Sequence, residues 1–448
     1  MSSSITLCLL AFTFCYVIAR RSLVAGLIMT MAFGYVFGIV KANLAETGSY
    51  FLFDSAVLGF FAARLFRPMT QAMKLRVEGL RAWMEFLLFW ALVCFFIPAQ
   101  DLMIRLVGLR TAIFFLPFLL IGARLLPEER YKLALGLAAL NLVALGFAGA
   151  EFIIGVPHFF PINKATAIIY LSKDVVGNTA YRIPSSFANA HAFAGAMVAT
   201  IPLVAGALLR TDKRRAHATL LILGLAAAVL GVLLSAARLH FVALALMIVV
   251  LTFSIRSKIS YAFGWLVIIG AIGLFASSEA RLQRFTDLKN ADVVTERVGW
   301  SVNMTFFELA ARYPFGNGLG GGGSSIPYFL QDQLHNPVVL ENEYARIMLE
   351  QGIIGLLLWG AFIIWLFTQG RGDPNDPWNQ GRRLAWWGCV IAFASGVVGI
   401  GLFVSVPATA ILFINTGWVA ARQRVPALAE EKSNAPGAPM RSNVARTV

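Results

Sequence analysis

Apolar stretches near 18–20 residues recur along this chain from Ile5 to Ala420. Each is long enough to cross the roughly 30 Å of hydrocarbon in a bilayer. No other feature constrains the fold as strongly. Hydrocarbon offers no water to an unpaired N–H or C=O, so such segments must be helices that satisfy their own backbone. Composition agrees, because 58% of the 448 residues are apolar and only 13% are charged, about half the charged share of a soluble domain. The expectation is an all-α polytopic integral membrane protein with no sizeable soluble domain. Spans are predicted near 5–19, 22–40, 50–64, 82–97, 106–122, 131–152, 191–209, 217–234, 239–255, 259–276, 346–367, 384–403 and 405–421, which is 12–13 transmembrane helices.

Basic residues fall in short clusters between these runs. Arg20-Arg21, 64–81, 122–132, 210–217, Arg256 with Lys258, and 368–383 together hold 19 Lys and Arg, while the alternate short loops hold three, Lys41, Arg105 and Arg110. This is the positive-inside pattern, and it puts the basic loops and the C-terminus in the cytoplasm. It also accounts for the excess of 37 Lys+Arg over 23 Asp+Glu without a nucleic-acid partner. The first run, Ile5–Ala19, precedes Arg20-Arg21 rather than following a basic segment. It is therefore expected to remain as a helix with its N-terminus outside, not to be cleaved as a signal peptide. Cys8, Cys15, Cys94 and Cys389 all lie in apolar runs without metal-ligand spacing and are expected to serve as small hydrophobes.

The expected organisation is N-terminal helices (1–152), an outward loop (153–190), central helices (191–276), a large outward loop (277–345), C-terminal helices (346–421) and a disordered cytoplasmic tail (422–448). Long loops on a rigid scaffold are where function concentrates. Three arginines belong to the outward side: Arg182 before Pro184, Arg238 at a helix mouth, and Arg297 in Glu296-Arg297-Val298-Gly299-Trp300. Singly, each suits a side chain snorkelling to head groups. Converging, the three would suit an anion, because guanidinium forks match phosphate oxygens. The glycine run Gly316-Asn317-Gly318-Leu319-Gly320-Gly321-Gly322-Gly323 lacks the Lys-Ser/Thr ending of a nucleotide loop. It reads as a flexible turn or hinge, or as a close backbone approach to a sugar or phosphate. His335-Asn336-Pro337 and Glu341-Asn342-Glu343-Tyr344 follow. Either Glu343 and Arg346, or Arg346 and Glu350, would pair at helical spacing; the crowding of His335, Glu341 and Glu343 also suits proton chemistry. No Asp-x-Asp or His/Cys cluster calls for a metal, and no cofactor is expected.

Several of these segments, in this order, resemble motifs of the O-antigen ligase and Wzy-type polysaccharide polymerase superfamily. Arg182-Ile183-Pro184-Ser185-Ser186-Phe187-Ala188-Asn189-Ala190-His191 resembles R-x-x-G-x-F-x-N-x-N at a helix opening. Leu234-Ser235-Ala236-Ala237-Arg238 resembles T-G-S-R, again opening a helix. Arg297-Val298-Gly299-Trp300 and Tyr313–Gly320 resemble R-x-x-x-W/R-x-x-W…P-x-x-G-x-G-x-G, and Glu350–Leu356 resembles E-x-G-I-I-G-L. The superfamily's His-Asn motif has its His eleven residues before the first Gly of the last motif. Counting back from Gly352 reaches Glu341 rather than His335, so either Glu341-Asn342 replaces His-Asn or His335-Asn336 carries an insertion.

The resemblance implies a bacterial inner-membrane enzyme whose outward loops face the periplasm. Its donor would be a glycan on polyprenyl (undecaprenyl) diphosphate, and its acceptor a hydroxyl on a glycan, lipid or protein. Arg238 and Arg297, with Arg182 helping, would stabilise the leaving diphosphate. Glu341 or His335 would act as base on the acceptor hydroxyl, and Asn342, Glu343 and Asn336 would position the acceptor or the loop. Membrane lipids are the remaining expected partner. Polymerase is favoured over ligase, because nothing identifies a lipid A-core acceptor. The alternative is a transporter or flippase of lipid-linked sugars, which would carry ionisable residues at mid-membrane on broken helices; the polar mid-span candidates are few (Asp54, Asn141), while the outward loops are rich.

Overall fold

A computed structural model describes residues 3–44, 46–171, 181–210, 215–254, 306–323, 326–338, 340, 342–369, 376–399 and 401–422, together with 292, 295 and 299. Arg297, Glu341, the span expected at 259–276 and the tail from 423 lie outside the described residues. In chain order the helices are α1 (Ser3–Arg21), α2 (Leu23–Leu44), α3 (Leu52–Arg64), α4 (Gln71–Phe95), α5 (Leu102–Ile113), α6 (Pro117–Arg124), α7 (Pro127–Ile154), α8 (Ala167–Leu171), α9 (Ala190–Leu209), α10 (Arg215–Leu234), α11 (Arg238–Ser254), α12 (Phe306–Arg312), α13 (Glu343–Thr368), α14 (Asn379–Ser395) and α15 (Ala408–Ala420). Among the described residues there is no strand.

Among the described residues, seven helical stretches are long and apolar enough to cross a membrane: Ser3–Arg21, Leu23–Leu44, Leu102–Arg124, Pro127–Ile154, Ala190–Leu209, His217–Leu234 and Glu343–Thr368. Two shorter apolar helices, Arg238–Thr252 and Ala408–Ala420, accompany them. Large apolar side chains face outward on α1 (Leu9, Phe14), α4 (Phe86, Phe89) and α13 (Leu357, Ile364). A surface of this kind is stable against lipid and unstable in water. The chain is an all-α, multi-pass membrane protein by these measures.

Polar residues mark the helix starts. The Thr70 hydroxyl accepts from the Met73 amide, and the Asn189 side chain accepts from the Ala192 amide. Pro127 opens α7, and Glu129 reaches back to accept from the Leu126 amide. Such caps satisfy N–H groups that the helix leaves without partners. Close packing then follows from small residues. A Cβ on Gly122 would fall 2.0 Å from the Ile414 carbonyl oxygen, and one on Gly417 would fall 1.9 Å from that of Leu119, so α6 and α15 touch backbone to backbone.

Every expected span within the described residues contains a helix, but three boundaries need correction. Gln71 to Arg81, expected as cytoplasmic loop, is the first part of α4. The span expected at 106–122 is broken into α5 and α6. The span expected at 384–403 ends as helix at Ser395, and 396–399 and 401–402 are irregular. The four cysteines are free thiols, with Cys15, Cys94 and Cys389 buried.

Candidate functional site

Helices α9, α11 and α13 begin at the same end of the bundle. Arg182 leads into α9, and its guanidinium lies 2.8 Å from Nε2 of His191. Arginine has no acceptor, so His191 accepts through an unprotonated Nε2. The His191 ring lies 5.9 Å from that of His240, two residues past Arg238 at the start of α11. Leu239 in turn packs on Gly399, whose carbonyl, with that of Gly396, accepts from the Glu343 amide at the start of α13. Three helix N-termini, each carrying the positive end of a helix dipole, thus surround the segments bearing Arg182 and Arg238.

The corners that deliver these arginines have unusual backbones. Ser185 (φ 52) and Ala236 (φ 51) are both left-handed, a region that favours glycine and costs an L-residue roughly 1–2 kcal/mol. Around Ser185 the backbone is held on three sides. Its amide donates to Glu151 Oε2 at 2.8 Å, its hydroxyl donates to the Ala144 carbonyl, and the Ser186 hydroxyl donates to the Tyr35 carbonyl at 2.6 Å. Glu151 is fully buried, and its Oε1 has no partner. At Ala236 the support is local: the Ser235 hydroxyl donates to the Val232 carbonyl and accepts from the Ala237 amide.

The start of α13 is a buried ion triad. Asn342 caps the helix, accepting from the Tyr344 and Ala345 amides. Arg346, 2% exposed, donates to Glu343 and to Glu350, both 0% exposed. Both helical pairs offered by the sequence therefore form at once. The second Glu343 oxygen accepts from the amides of Gly401 and Leu402, at 2.6 and 3.1 Å, tying the 396–402 segment to the helix start.

The glycine run is not a hinge. Residues 317–322 are buried, and Gly316, Gly318 and Gly320 all have positive φ. Gly316 meets a break in α13 at Gly352 (φ 68), while Gly318 packs on Ala99 and Gln100 and Gly320 on Ile104 of α5. Across that break the Ile353 amide donates to the Pro314 carbonyl, and the Asn317 amide donates to the Leu349 carbonyl. A Cβ on Gly316 would lie 2.9 Å from both the Glu350 carbonyl oxygen and the Gly352 nitrogen.

His335 stands apart from the arginines. Buried Gln100 clamps its backbone, accepting from its amide at 3.0 Å and donating to its carbonyl at 2.9 Å. The ring is exposed, with Nε2 3.7 Å from Asp101 Oδ1. Asn336 (φ 52) is exposed beside it. Of the two expected mid-membrane groups, Asp54 lies in the first turn of α3 and pairs with Arg110. Asn141 is buried, bonded to the Tyr35 and Thr200 hydroxyls.

The structure thus links the segments bearing Arg182 and Arg238 through His191 and His240, and that of Glu343 through Leu239 and Gly399, and leaves His335 beside Gln100 and Asp101. His191, His240 and Glu151 were missed in the sequence. Their signal was spacing alone: His191 follows the cap Asn189 by two residues, and His240 follows Arg238 by two. Among the described residues no group of three or more His, Cys, Asp or Glu is arranged to hold a metal. No protein-family model matches the chain, and no curated protein matches it.

Proposed function

We propose that this chain is a glycan polymerase or ligase of the O-antigen ligase type, seated in a bacterial inner membrane with the starts of α9, α11 and α13 facing the periplasm. An acceptor hydroxyl attacks the anomeric carbon of a glycan on polyprenyl diphosphate. The new bond forms as the carbon–oxygen bond to the diphosphate breaks, the anomeric centre inverts, and the diphosphate leaves as an anion that needs no general acid. Arg238 and Arg182, with Arg297, offset that developing charge. The hydroxyl proton passes to Glu341, which keeps the motif register before Gly352, or to His335.

The observation that carries this reading is the meeting of two arginine-bearing segments, 182–191 and 235–238, at converging helix N-termini. Preorganised guanidinium donors and helix dipoles suit an oxyanion. A second support is conformational. Ser185 and Ala236 stand where the resembling motifs carry glycine, and both keep the left-handed backbone a glycine would adopt.

One feature favours the transporter alternative: α13 is broken at Gly352, as helices at transport sites are. Against it, backbone groups freed by the break bond to the Pro314–Asn317 segment, whereas a transport site leaves such groups to an ion. The test uses purified protein with a lipid-linked glycan donor. Arg238→Ala and Arg182→Ala are expected to lose about 10²–10³-fold in transfer rate at normal protein abundance, and Arg→Lys is expected to rescue poorly. Full transfer in both Ala variants would return these arginines to a head-group role. Passage of the lipid-linked sugar across vesicles with no new glycosidic bond would favour the transporter.

A further inference from the structure

At the opposite end of the bundle, where α9 and α13 finish and α7 begins, four arginines gather: Arg76, Arg130, Arg210 and Arg382. Three of them are almost wholly buried, Arg130 and Arg382 at 3% and Arg210 at 9%. They surround Trp378 and Trp418, which meet edge to face. The Arg130 guanidinium lies 4.9 Å from the Trp418 ring centroid and 5.3 Å from that of Trp378, and Arg210 lies 5.5 Å from Trp378.

Among the described residues the counter-charge is thin. Arg210 pairs with Glu128, whose side chain is 70% exposed, and Asp376 is the acid that acts on Arg76, Arg130 and Arg382. Arg382 spends one nitrogen on the carbonyls of Val419 and Ala421, the end of α15. What remains is a set of buried donors: Nε and Nη1 of Arg130, Nε of Arg76, Nε of Arg382 and Nε1 of Trp378 have no hydrogen-bond partner among the described residues. A buried donor left unpaired is destabilising, and a buried guanidinium without an acceptor more so. Indole faces offset part of this for Arg130.

We infer that this cage binds a phosphate group, an acceptor-only tetrahedral oxyanion whose oxygens match several N–H donors at once. The favoured source is the phosphodiester of an anionic phospholipid, whose head group, unlike that of phosphatidylcholine, brings no cation among the arginines; the cage sits at helix ends, and basic pockets between membrane helices select such lipids. The inference does not rest on the proposed glycan transfer.

The full-length protein is reconstituted in phosphatidylcholine alone or with a minority of phosphatidylglycerol, and its unfolding midpoint is measured. Wild type is expected to unfold at a higher temperature with phosphatidylglycerol present. Arg130→Gln should lose most of that rise, matching about a tenfold weaker affinity for one charge-assisted bond removed. In phosphatidylcholine alone it should match wild type. Arg76→Gln, which leaves the indole stack untouched, should show the same loss and carries the test if Arg130→Gln does not fold. Equal rises in wild type and both variants would overturn the site. Inorganic phosphate giving the full rise in phosphatidylcholine would overturn the lipid as its source.

Discussion

At the end of the bundle where α9, α11 and α13 begin, buried Arg346 is held by two carboxylates; at the other end, buried Arg130 meets two indole faces and, among the described residues, forms no ion pair. Backbone conformation divides in the same way. The left-handed non-glycine residues Ser185, Ala236 and Asn336, and the left-handed glycines from Gly316 to Gly352, lie toward the first end. Strained backbone persists only where its surroundings over-determine it, and it gathers at functional sites. The first end is thus a closed structure, its charges internally matched and its loops pinned, that presents Arg182 and Arg238 in fixed places. The second is a set of buried donors without partners among the described residues.

The largest expected effect tests whether the Arg346 triad is structural. Removing the central charge leaves Glu343 and Glu350 facing each other in a dry site and should cost about 3–5 kcal/mol. Arg346→Met, followed by chemical unfolding in detergent, measures it. Arg130→Met in the same assay, without anionic lipid, should change stability by no more than about 1 kcal/mol, since lost cation–π contact and relieved burial of charge oppose each other. Similar losses in the two variants would erase the distinction between the ends.

How much of this was legible in the sequence depends on what each residue signals. Spans were legible because an apolar run of that length has few alternatives. The start of α4 was not, because Lys74, Arg76, Glu78 and Arg81 mask a helix from any reading by hydropathy. Arg130 was counted as a loop charge marking the cytoplasm, and nothing local says that Trp378 and Trp418, far along the chain, cover it. The glycine run read as mobile because glycine frees a backbone, yet here that freedom is used to fit a break in α13. Asn342, expected to position the acceptor or the loop, caps α13, a local chemistry that the reading by motif passed over.

A mid-sized effect probes how tightly the first end is pinned. Gly316 has φ 91, and a Cβ there meets the backbone of Glu350 and Gly352 at 2.9 Å. Gly316→Ala should therefore cost more than about 2 kcal/mol, from left-handed strain plus a clash with groups that cannot rotate away. The measurement is the same detergent unfolding, with Gly146→Ala on α7 as the control, since a Cβ there meets nothing within 4 Å. A hinge would tolerate the change at Gly316 as readily as the control position does.

The smallest expected effect bears on the corner that carries Arg238. Ala236 is fully buried at φ 51, so its methyl group pays the left-handed penalty of roughly 1–2 kcal/mol. Glycine there removes the penalty but adds about 0.5–1 kcal/mol of chain entropy to be lost on folding. The two nearly cancel, leaving Ala236→Gly neutral or more stable by up to about 1 kcal/mol. The control is Ala243→Gly in the interior of α11, also buried, which has no strain to relieve and should lose about 1 kcal/mol. The contrast between the two substitutions, rather than either value alone, reports the backbone at Ala236. Equal losses would mean that Ala236 is not left-handed in the membrane, and the match of Ser235–Arg238 to a glycine-bearing corner would lose its conformational support.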